Sequence, residues 1–347
     1  MGASVQYVGF DIHKKMIAYC VKTKGGKIRA EGTVRATRQG LRNWVAKRRQ
    51  PRVSRGAMEA TLFTGWVYDY LSPHARQIKV AHPAMLKAIS ASKKKNDRID
   101  ARKIADLLRV DLLPECHMAS KEIRELRGNL RYRHLMLKEA KRMKNKISGL
   151  LMEAGVECNK AKLHGKKYFS ELLAGLEDVP DSVMELLKIS RSSLEMFQEV
   201  QRRLVKCLKN DPCLKERVRR LMTIPGVGEI VSLTWALEVG DVSPAFRGVG
   251  QAISYCGLCS GQNSSAGIDR RGPISKKRNK HLQHILIEAA KLAPRSNPAL
   301  AQVHARECKR GNPADGGTLA VARKMVAYLM SLDKHQKDYE LRLLAEE

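Results

Sequence analysis

Two aspartates lie where a protein that only binds polyanions would have no use for them. Asp97 and Asp100 stand three residues apart inside a run of lysine and arginine, SKKKNDRIDARKIADLL. The pattern RIDARKIADLLRV predicts that a helix begins here, and residues three apart on a helix share one face. Two further acids lie at the ends of predicted strands: Asp11 in VQYVGFDI and Glu59 in VSRGAMEA. Because strand ends and helix N-termini meet at the carboxyl edge of an α/β sheet, we expect the four carboxylates to converge there.

Four converging carboxylates repel one another unless a divalent cation lies between them. Mg²⁺ prefers oxygen ligands and keeps positions open for substrate phosphates, and Mn²⁺ is the alternative ion. Two such ions about 4 Å apart can stabilise the attacking and leaving oxygens of a phosphodiester displacement. The predicted metal ligands are Asp11, Glu59, Asp97 and Asp100. The basic side chains that would bring a nucleic-acid backbone to the metal are Lys93, Lys94, Lys95, Arg98, Arg102 and Lys103.

A purely structural role is the alternative for each acid taken singly. Asp97 could be the N-cap of its helix, and Asp100 could be the acid three residues later in a capping box. Glu59 could simply end its strand at the surface. The four acids together stand at the points expected of an RNase H-like order of elements, and that combination favours the metal site.

A second stretch that could do chemistry is the small-residue segment YCGLCSGQNSSAG, which contains Ser264 and Ser265. We predict a loop that lets a phosphate backbone approach closely. A serine in it could act as a nucleophile and form a phosphoserine link to DNA, if a metal or a base activates the hydroxyl. Read alone, the loop is more typical of a segment that only binds phosphate. The basic residues that would hold the phosphates are Arg270, Arg271, Lys276, Lys277 and Arg278.

The composition favours a nucleic-acid partner. The 347 residues include 65 Lys and Arg against 35 Asp and Glu, which gives a formal net charge of +30 at pH 7. Proteins this basic most often bind nucleic acid. The chain has no run of 18 apolar residues and no signal-peptide core, so we expect a cytoplasmic protein without a membrane partner. In such a protein the eight cysteines are expected to be free thiols.

One cysteine pair has the spacing of zinc ligands. Cys256 and Cys259 are followed by His281 and His284. The flanking sequence AISYCGLCSG is apolar, however, and the histidine spacing fits zinc fingers poorly. We therefore interpret these cysteines as small buried hydrophobic residues.

The elements that would position these residues change character along the chain. Residues 1–113 follow the order βββαβαβα, which predicts a sheet covered by helices. Residues 114–212 contain two long segments with heptad-like apolar spacing and a polar break between them, which predicts an antiparallel coiled-coil hairpin. Residues 213–347 are mostly helical by pattern.

A glycine corner lies within the last region, in TIPGVGEIVSLTWALEVGD. Gly226 and Gly228 separate two helical stretches there. A glycine turn before a helix can offer backbone N–H groups to a phosphate. An ordinary packing corner between two helices is the alternative, and the basic lead-in KERVRRLM favours DNA.

Six segments together resemble the insertion-sequence transposases of the one-ten family, which are related to the Piv and MooV DNA invertases and are called bridge-RNA-guided recombinases. The segments are VGFDIHKK, AMEAT, NDRIDARKIADLL, IPGVGEIVSLTWALEVGD, YCGLCSGQNSSAG and GPISKKRNKHLQHILIEAA. The resemblance implies an α/β RNase H-like (RuvC-like) N-terminal domain, a helical coiled-coil spacer and a mostly helical C-terminal transposase domain. It also implies a DEDD tetrad, matched by Asp11, Glu59, Asp97 and Asp100.

The family's C-terminal domain carries a serine nucleophile in the small-residue loop. Counting forward from the Gly-Leu motif at Gly257 assigns this role to Ser265. Counting back from ISKK assigns it to Ser264. The resemblance therefore implies catalysis by one of two adjacent serines, and we carry the role to Ser265.

The resemblance implies that donor and target double-stranded DNA are cut and rejoined through a phosphoserine–DNA intermediate. Mg²⁺ on the tetrad of one protomer would activate the serine of another, in a dimer or a dimer of dimers. A structured noncoding guide RNA would select the target, on nucleoid DNA of a bacterium or archaeon. Two rivals remain. One is a Holliday-junction resolvase or metal-dependent nuclease that uses water, and the other is a non-catalytic RNA- or DNA-binding protein.

Overall fold

The computed structural model of the chain divides into two compact units, residues 1–121 and 122–347. The first unit is a mixed α/β structure, and the second is mainly helical. This confirms the order of fold types that the sequence predicts. The residues described are 5–47, 54–89, 96–240, 246–265, 267–311 and 314–340.

The N-terminal unit is built on a six-stranded sheet with the order β3-β2-β1-β4-β5-β6. Its strands are β1 Gln6–Ile12, β2 Met16–Lys22, β3 Ile28–Arg35, β4 Ser54–Glu59, β5 Gln77–Ala81 and β6 Glu115–Cys116. The first three strands pair antiparallel, whereas β1, β4 and β5 run parallel to one another. Because parallel strands end at the same edge of a sheet, the carboxyl ends of β1 and β4 lie side by side.

Strand β1 is central and buried on both faces. Val8 and Phe10 join a hydrophobic cluster with Met58 on one face. Tyr7 belongs to a second cluster, with Ile104, on the opposite face. This alternation follows from the period of two in a strand, and a nearly continuous apolar run is typical of a strand covered on both faces.

Four helices accompany the sheet: α1 Arg38–Ala46, α2 Thr64–Leu71, α3 Pro83–Ile89 and α4 Asp97–Arg109. Trp44 of α1 packs edge-on against Phe10, with ring centroids 5.3 Å apart. Helix α4 packs Ile104 and Leu108 on the other face of the sheet. Since α4 begins with two of the predicted metal ligands, its position decides the geometry of the acidic site.

The C-terminal unit contains nine helices and one β-hairpin among its described residues. The helices are α5 Lys121–Glu153, α6 Lys166–Ala174, α7 Asp181–Lys209, α8 Pro212–Leu221, α9 Glu229–Val239, α10 Val249–Tyr255, α11 Lys280–Leu292, α12 Pro298–Lys309 and α13 Ala314–His335. The hairpin strands are β7 Ser260–Ser265 and β8 Ile268–Ile274.

The two long helices α5 and α7 share a hydrophobic cluster to which Ile147 and Leu187 belong. The polar break expected between them is not wholly irregular, because it contains α6. Leu163 and Phe169 from this segment are buried in the same cluster. Their contact with the long helices orders the segment, and its local sequence alone is too short to display a clear helical period.

Helix α9 forms the centre of the C-terminal unit. Every residue from Val231 to Val239 is buried, as expected of a helix surrounded by protein on all sides. Helices α8 and α11 pack against it. The indole Nε1 of Trp235 donates a 2.7 Å hydrogen bond to Asp333 Oδ2 on α13, so its buried polar group is satisfied.

No helix in the described part of the chain has the length and apolar character that a membrane span requires.

The eight cysteines are free thiols. Burial raises the pKa of Cys256 to about 12. That thiol therefore stays protonated at neutral pH and packs as a small hydrophobic side chain.

Candidate metal centre and serine hairpin

The acidic site begins at the carboxyl end of β1. Asp11 is only 8% exposed there. Phe10 pairs in register with Met58 of the parallel strand β4, so Asp11 and Glu59 occupy neighbouring positions at the same edge of the sheet. Glu59 is the last residue of its strand, and its backbone carbonyl accepts a 3.0 Å hydrogen bond from Thr64 Oγ1.

Helix α4 brings the other two acids. Asn96 is its N-cap, with the side-chain oxygen accepting a 3.0 Å hydrogen bond from the Arg98 backbone N–H. Asp97 is therefore the first residue inside the helix, and the interpretation of Asp97 as the cap is wrong. Asn96 takes that role because its side chain reaches the free N–H groups of the first turn. Both Asp97 and Asp100 lie in that turn, where the helix dipole favours negative charge.

Glycine at position 9 allows α4 to approach β1 this closely. A Cβ atom added to Gly9 would lie 2.1 Å from the Ala101 carbonyl oxygen and 2.5 Å from the Ala105 backbone nitrogen. Ala101 also packs against Ala18 and Cys20 of the neighbouring strand. The small residues of β1, β2 and α4 together place the helix N-terminus beside Asp11. Nothing in the sequence singles out Gly9, because close backbone approach leaves no pattern along the chain.

A histidine completes the cluster. His13 Nε2 lies 3.0 Å from Asp11 Oδ2 and 3.3 Å from Asp97 Oδ1. The candidate ligand atoms of these three residues all lie within 4.8 Å of one another. His13 is not among the ligands predicted from the sequence. Its position two residues after Asp11 at a strand end was a usable signal, since such residues share a side of the sheet.

The electrostatics of the cluster favour a cation. Burial raises the pKa of Asp11, and the negative charges of Asp97 and Asp100 raise it further, against the opposing effect of the His13 hydrogen bond. A buried carboxylate with other acids nearby is stabilised when a positive ion joins it. Carboxylate oxygens and one imidazole nitrogen suit a divalent metal such as Mg²⁺ or Mn²⁺. The residues present therefore fit a divalent ion.

The remaining predicted ligands stand outside this group of three. Lys103 Nζ lies 3.5 Å from Asp100 Oδ1, and Asp100 is close enough to influence the pKa of Asp11. The register of β1 and β4 places Glu59 beside Asp11. The roles of Asp100 and Glu59 as ligands stay predictions.

The predicted backbone-binding arginines of α4 have an internal partner. Arg102 binds Glu31 of β3 through two hydrogen bonds of 2.7 and 2.8 Å, and Arg98 bonds to the same carboxylate. The hydrogen bonds from Arg102 and then Arg98 lower the pKa of Glu31 to about 2. These pairs tie α4 to β3, and a contact with nucleic acid stays a prediction for both arginines. The run Lys93, Lys94 and Lys95 lies outside the described residues.

The predicted serine loop is a β-hairpin instead. Ser265 ends β7 and pairs with Ile268, the first residue of β8. Gly267 in the turn has a φ of 80°, the left-handed region that favours glycine in tight hairpin turns. The strand SGQNSS has no β-branched or aromatic residue, so its sequence favours a loop. Backbone pairing with β8 determines its structure.

The two candidate serines lie on opposite faces of the hairpin, because neighbouring strand residues alternate. Both are exposed. Gln262 Nε2 donates a 3.2 Å hydrogen bond to Ser264 Oγ on one face. Only one of the two hydroxyls can therefore face a given phosphodiester in a fixed complex. The identity of the nucleophile, Ser264 or Ser265, therefore depends on which face of the hairpin meets the DNA.

The hairpin is anchored to the helical unit at its base. Gly257 has a φ of 70°, and a Cβ on it would lie 2.3 Å from the Arg278 Cβ. Arg323 Nε donates a 2.9 Å hydrogen bond to the Leu258 carbonyl, and the Ser275 N–H bonds to the Cys259 carbonyl at 2.9 Å. Four of the predicted phosphate-binding residues on and after the hairpin are exposed: Arg270, Lys276, Lys277 and Arg278. Arg271 belongs to β8, but its side chain lies outside the described part of the structure.

A buried carboxylate connects this base to two helices. Glu238 of α9 is 1% exposed. It accepts two 2.9 Å hydrogen bonds from Arg131 of α5 and one of 2.8 Å from Asn279 Nδ2. Burial by itself would raise the pKa of Glu238, but the hydrogen bonds from Arg131 and Asn279 lower it below its ordinary value. Asn279 is also the N-cap of α11 and bonds through its N–H to Tyr255, so both chain ends of the hairpin meet this network.

The glycine corner serves helix packing. Gly226 has a φ of 91°, and a Cβ on it would lie 2.7 Å from the Ala293 Cβ. Asn297 Nδ2 donates a 3.2 Å hydrogen bond to the Pro225 carbonyl. These contacts explain Gly226 by close packing. Gly228, the N-cap of α9, borders open space, and phosphate binding there stays a prediction.

A basic cleft lies beside the start of α9. Its volume is about 660 Å³. Burial lowers the pKa of Arg133 in this cleft, and the Arg133 Nε is buried without a hydrogen-bond partner among the described residues. The lining comes from α5, α7 and α9: Arg133, Gln198, Gln201, Arg202, Val205, Lys206, Lys209, Glu229 and Ile230.

An acidic cluster at the carboxyl edge of an α/β sheet, in a chain of strongly positive charge, is typical of metal-dependent enzymes that act on nucleic acids. Two family models match the chain. A DEDD-type domain described as "Transposase" matches residues 8–155, and "Transposase IS116/IS110/IS902 family" matches residues 218–305. The chain belongs to the IS110 family of insertion-sequence transposases, which are enzymes that cleave and rejoin DNA.

Curated relatives agree with this assignment. A probable family 20 transposase of Pseudomonas aeruginosa is 24% identical over 71% of this chain and 74% of its own length. The transposase for insertion sequence element IS1328 of Yersinia enterocolitica is 24% identical over 68% of this chain and 70% of its own. The transposase for insertion sequence element IS1111A of Coxiella burnetii is 24% identical over 83% of this chain and 77% of its own length.

Proposed function

We propose that this transposase recombines double-stranded DNA by means of a divalent metal held by Asp11, Glu59, Asp97 and Asp100 and a nucleophilic serine, Ser265. The observation that carries the proposal is the occurrence, in one chain, of the Asp11–His13–Asp97 cluster and an exposed serine hairpin within the two matched family domains. We assign the N-terminal unit to the RNase H-like, RuvC-like class on the order of its strands and the position of its acids.

The chemistry of the proposed step conserves phosphodiester bonds. The Ser265 Oγ forms a bond to phosphorus while the bond from phosphorus to a deoxyribose oxygen breaks, and the serine proton passes to that leaving oxygen or to solvent. A bound divalent ion would supply charge stabilisation for the phosphate oxygens and lower the pKa of the attacking hydroxyl. A deoxyribose hydroxyl of the second duplex then attacks the same phosphorus and forms a new phosphodiester bond. The bond from phosphorus to Ser265 Oγ breaks, and the serine oxygen takes up a proton to become a hydroxyl again.

The arrangement of domains follows from this proposal. The acids would come from residues 1–113 and the serine from residues 213–347, with the helices of residues 114–212 as a coiled-coil spacer. We propose a dimer or a dimer of dimers, in which the acids of one protomer act with the serine of another on donor and target DNA. The reaction would take place on the nucleoid DNA in the cytoplasm of a bacterial or archaeal host.

A structured guide RNA is the further partner that we propose. The support is the basic cleft between α5, α7 and α9, with Arg202, Lys206 and Lys209 on the spacer helix. An RNA duplex is held mainly through its shape and backbone, which such a surface suits. The exposed side chains Lys276, Lys277 and Arg278 would bind the DNA strand near the serine.

The experiment combines the full-length protein with Mg²⁺, the RNA encoded beside its gene, a duplex bearing the ends of its insertion sequence, and a target duplex. Protein–DNA adducts that survive denaturation are measured for wild type, Ser265→Ala, Ser264→Ala and Asp11→Asn. We expect adducts in wild type and Ser264→Ala only. DNA cleavage without adducts, unaffected by either serine change, would mean a metal-dependent nuclease that uses water, and the serine mechanism would be wrong.

A further inference from the structure

We propose that His13 is a ligand of the divalent ion, beside Asp11 and Asp97, and that its nitrogen shifts the preference of the site from Mg²⁺ toward Mn²⁺. The inference rests on the proposed metal site and is independent of the proposed serine chemistry. It adds a nitrogen donor to a set of ligands that the sequence analysis had taken to be oxygen alone.

The geometry of the cluster carries the inference. The distances from His13 Nε2 to the two carboxylate oxygens are 3.0 and 3.3 Å. Adjacent ligands of an octahedral ion with bonds of about 2.1 Å lie about 3.0 Å apart. His13 Nε2 thus lies at the spacing of an adjacent ligand from each of the two carboxylate oxygens, and the ligand atoms of the three residues all lie within 4.8 Å of one another.

The backbone fixes His13 in this position. The residue follows β1 directly, and its N–H donates a 2.9 Å hydrogen bond to the Met16 carbonyl at the start of β2. Ile12 and Ile17 form the last pair of the two strands. His13 therefore belongs to a tight turn that closes a hairpin of the central sheet, and its imidazole is 47% exposed at the edge where the acids meet.

The type of donor predicts a change in metal preference. Mg²⁺ is a hard ion that is bound almost entirely by oxygen, and it holds its waters firmly. Imidazole nitrogen is a good ligand for first-row transition ions, among which Mn²⁺ also accepts carboxylate oxygen readily. A site with two carboxylates and one imidazole therefore favours Mn²⁺ more than an all-carboxylate site does.

The first test compares the wild-type protein with two histidine variants in the presence of Mn²⁺. Full-length protein is produced with ¹⁵N-labelled histidine, and pulsed electron paramagnetic resonance of the bound Mn²⁺ detects magnetic coupling to a directly bonded nitrogen. We expect this coupling in the wild type, its loss in His13→Asn, and its retention in His117→Asn. His117 is an exposed histidine in the same unit, which makes it the matched control.

Calorimetric titration with Mn²⁺ and Mg²⁺ alone gives the second readout. Loss of an outer-shell partner of a metal ligand weakens metal binding by about ten-fold or more. Loss of the His13 nitrogen itself in His13→Asn should weaken Mn²⁺ binding at least as much, and change Mg²⁺ binding less. His13→Asp supplies a carboxylate oxygen in place of the imidazole nitrogen. It should therefore bind Mg²⁺ better, relative to Mn²⁺, than the wild type does. The result for His13→Asp tests preference directly and does not depend on how His13→Asn tolerates the loss of its side chain.

The outcomes separate this inference from the proposed function. If Mn²⁺ binds to wild type and is lost in Asp11→Asn, but no ¹⁵N coupling is seen and His13→Asn binds normally, His13 is a neighbour of the site and the inference is wrong. If Asp11→Asn binds Mn²⁺ as tightly as wild type, the proposed metal site itself is wrong, and the inference fails with it.

Discussion

In the N-terminal unit the candidate metal ligand Asp11 is 8% exposed on a central strand, whereas in the C-terminal unit Ser265 is exposed at the turn of a two-stranded hairpin. Close backbone packing at Gly9 positions the acids. Hydrogen bonds at the base of the hairpin position the serine. Groups that must share one ion need fixed distances, while a nucleophile that must reach a DNA strand benefits from an exposed position.

This difference leads to different sensitivities to mutation. The acidic centre is sensitive to a small increase in side-chain volume at Gly9, because the closest neighbours of that glycine are backbone atoms of α4. The serine hairpin is vulnerable to loss of the buried network around Glu238, because its own strands contribute no apolar core.

The largest effect is expected for Glu238→Ala. The change removes a fully buried carboxylate that accepts three hydrogen bonds from Arg131 and Asn279. The Arg131 guanidinium is half exposed and regains water, so the loss of these hydrogen bonds together should cost about 3 kcal/mol. Urea unfolding of the C-terminal unit measures this loss. The matched control is Glu199→Ala on α7, where the ion pairs with Arg202 and Arg203 are on the surface and little change is expected. Equal effects of the two changes would contradict the role of the network.

A smaller effect is expected for Gly9→Ala. The added methyl group meets backbone atoms of Ala101 and Ala105 that cannot rotate away, and overpacking of this kind costs about 2 kcal/mol. Because α4 must move, we also expect weaker Mn²⁺ binding in calorimetric titration. Gly25→Ala is the control in the same unit, since the nearest atom to its added Cβ lies 4.0 Å away. Normal metal binding by Gly9→Ala would show that the approach of α4 does not set the acidic site.

The smallest effect is a dependence on pH at Glu31. Its pKa falls from 4.5 to about 2 in the folded protein, through the hydrogen bonds from Arg102 and Arg98. The unfolded state binds the proton more readily, so this stabilisation is complete above pH 4.5 and is lost as the pH falls toward 2. Glu31→Gln should lower the free energy of unfolding at pH 7, and its difference from wild type should shrink below pH 4.5. A difference that stays constant between pH 7 and pH 3.5 would contradict the assignment.

The strands and helices whose apolar residues recur at a regular spacing could be predicted from the sequence. Strand-rich runs with acids at their ends gave the sheet and the positions of Asp11 and Glu59. The helix that begins at Asp97 followed from its apolar period. These features depend on residues close together in the chain, whose types favour a strand or a helix before any tertiary contact forms.

Other features depend on contacts between distant residues, and the sequence offered little sign of them. The strand Ser260–Ser265 contains only small and polar residues, and pairing with β8 makes it a strand. Gly9 is explained by atoms more than 90 positions away in the sequence. The link from Glu238 to Arg131 spans 107 positions. Such contacts have no local period, so only the folded structure reveals them.

The most direct test of the serine mechanism is to locate the DNA on the protein. After reaction with Mg²⁺, the noncoding RNA and the two duplexes, covalent complexes are digested with nuclease and protease, and the modified peptide is sequenced by mass spectrometry. We predict a nucleotide attached through phosphate to Ser265, absent when Asp11 is replaced by Asn. A nucleotide on Ser264 would place the nucleophile on the opposite face of the hairpin, and recombined DNA with no modified serine would contradict the mechanism.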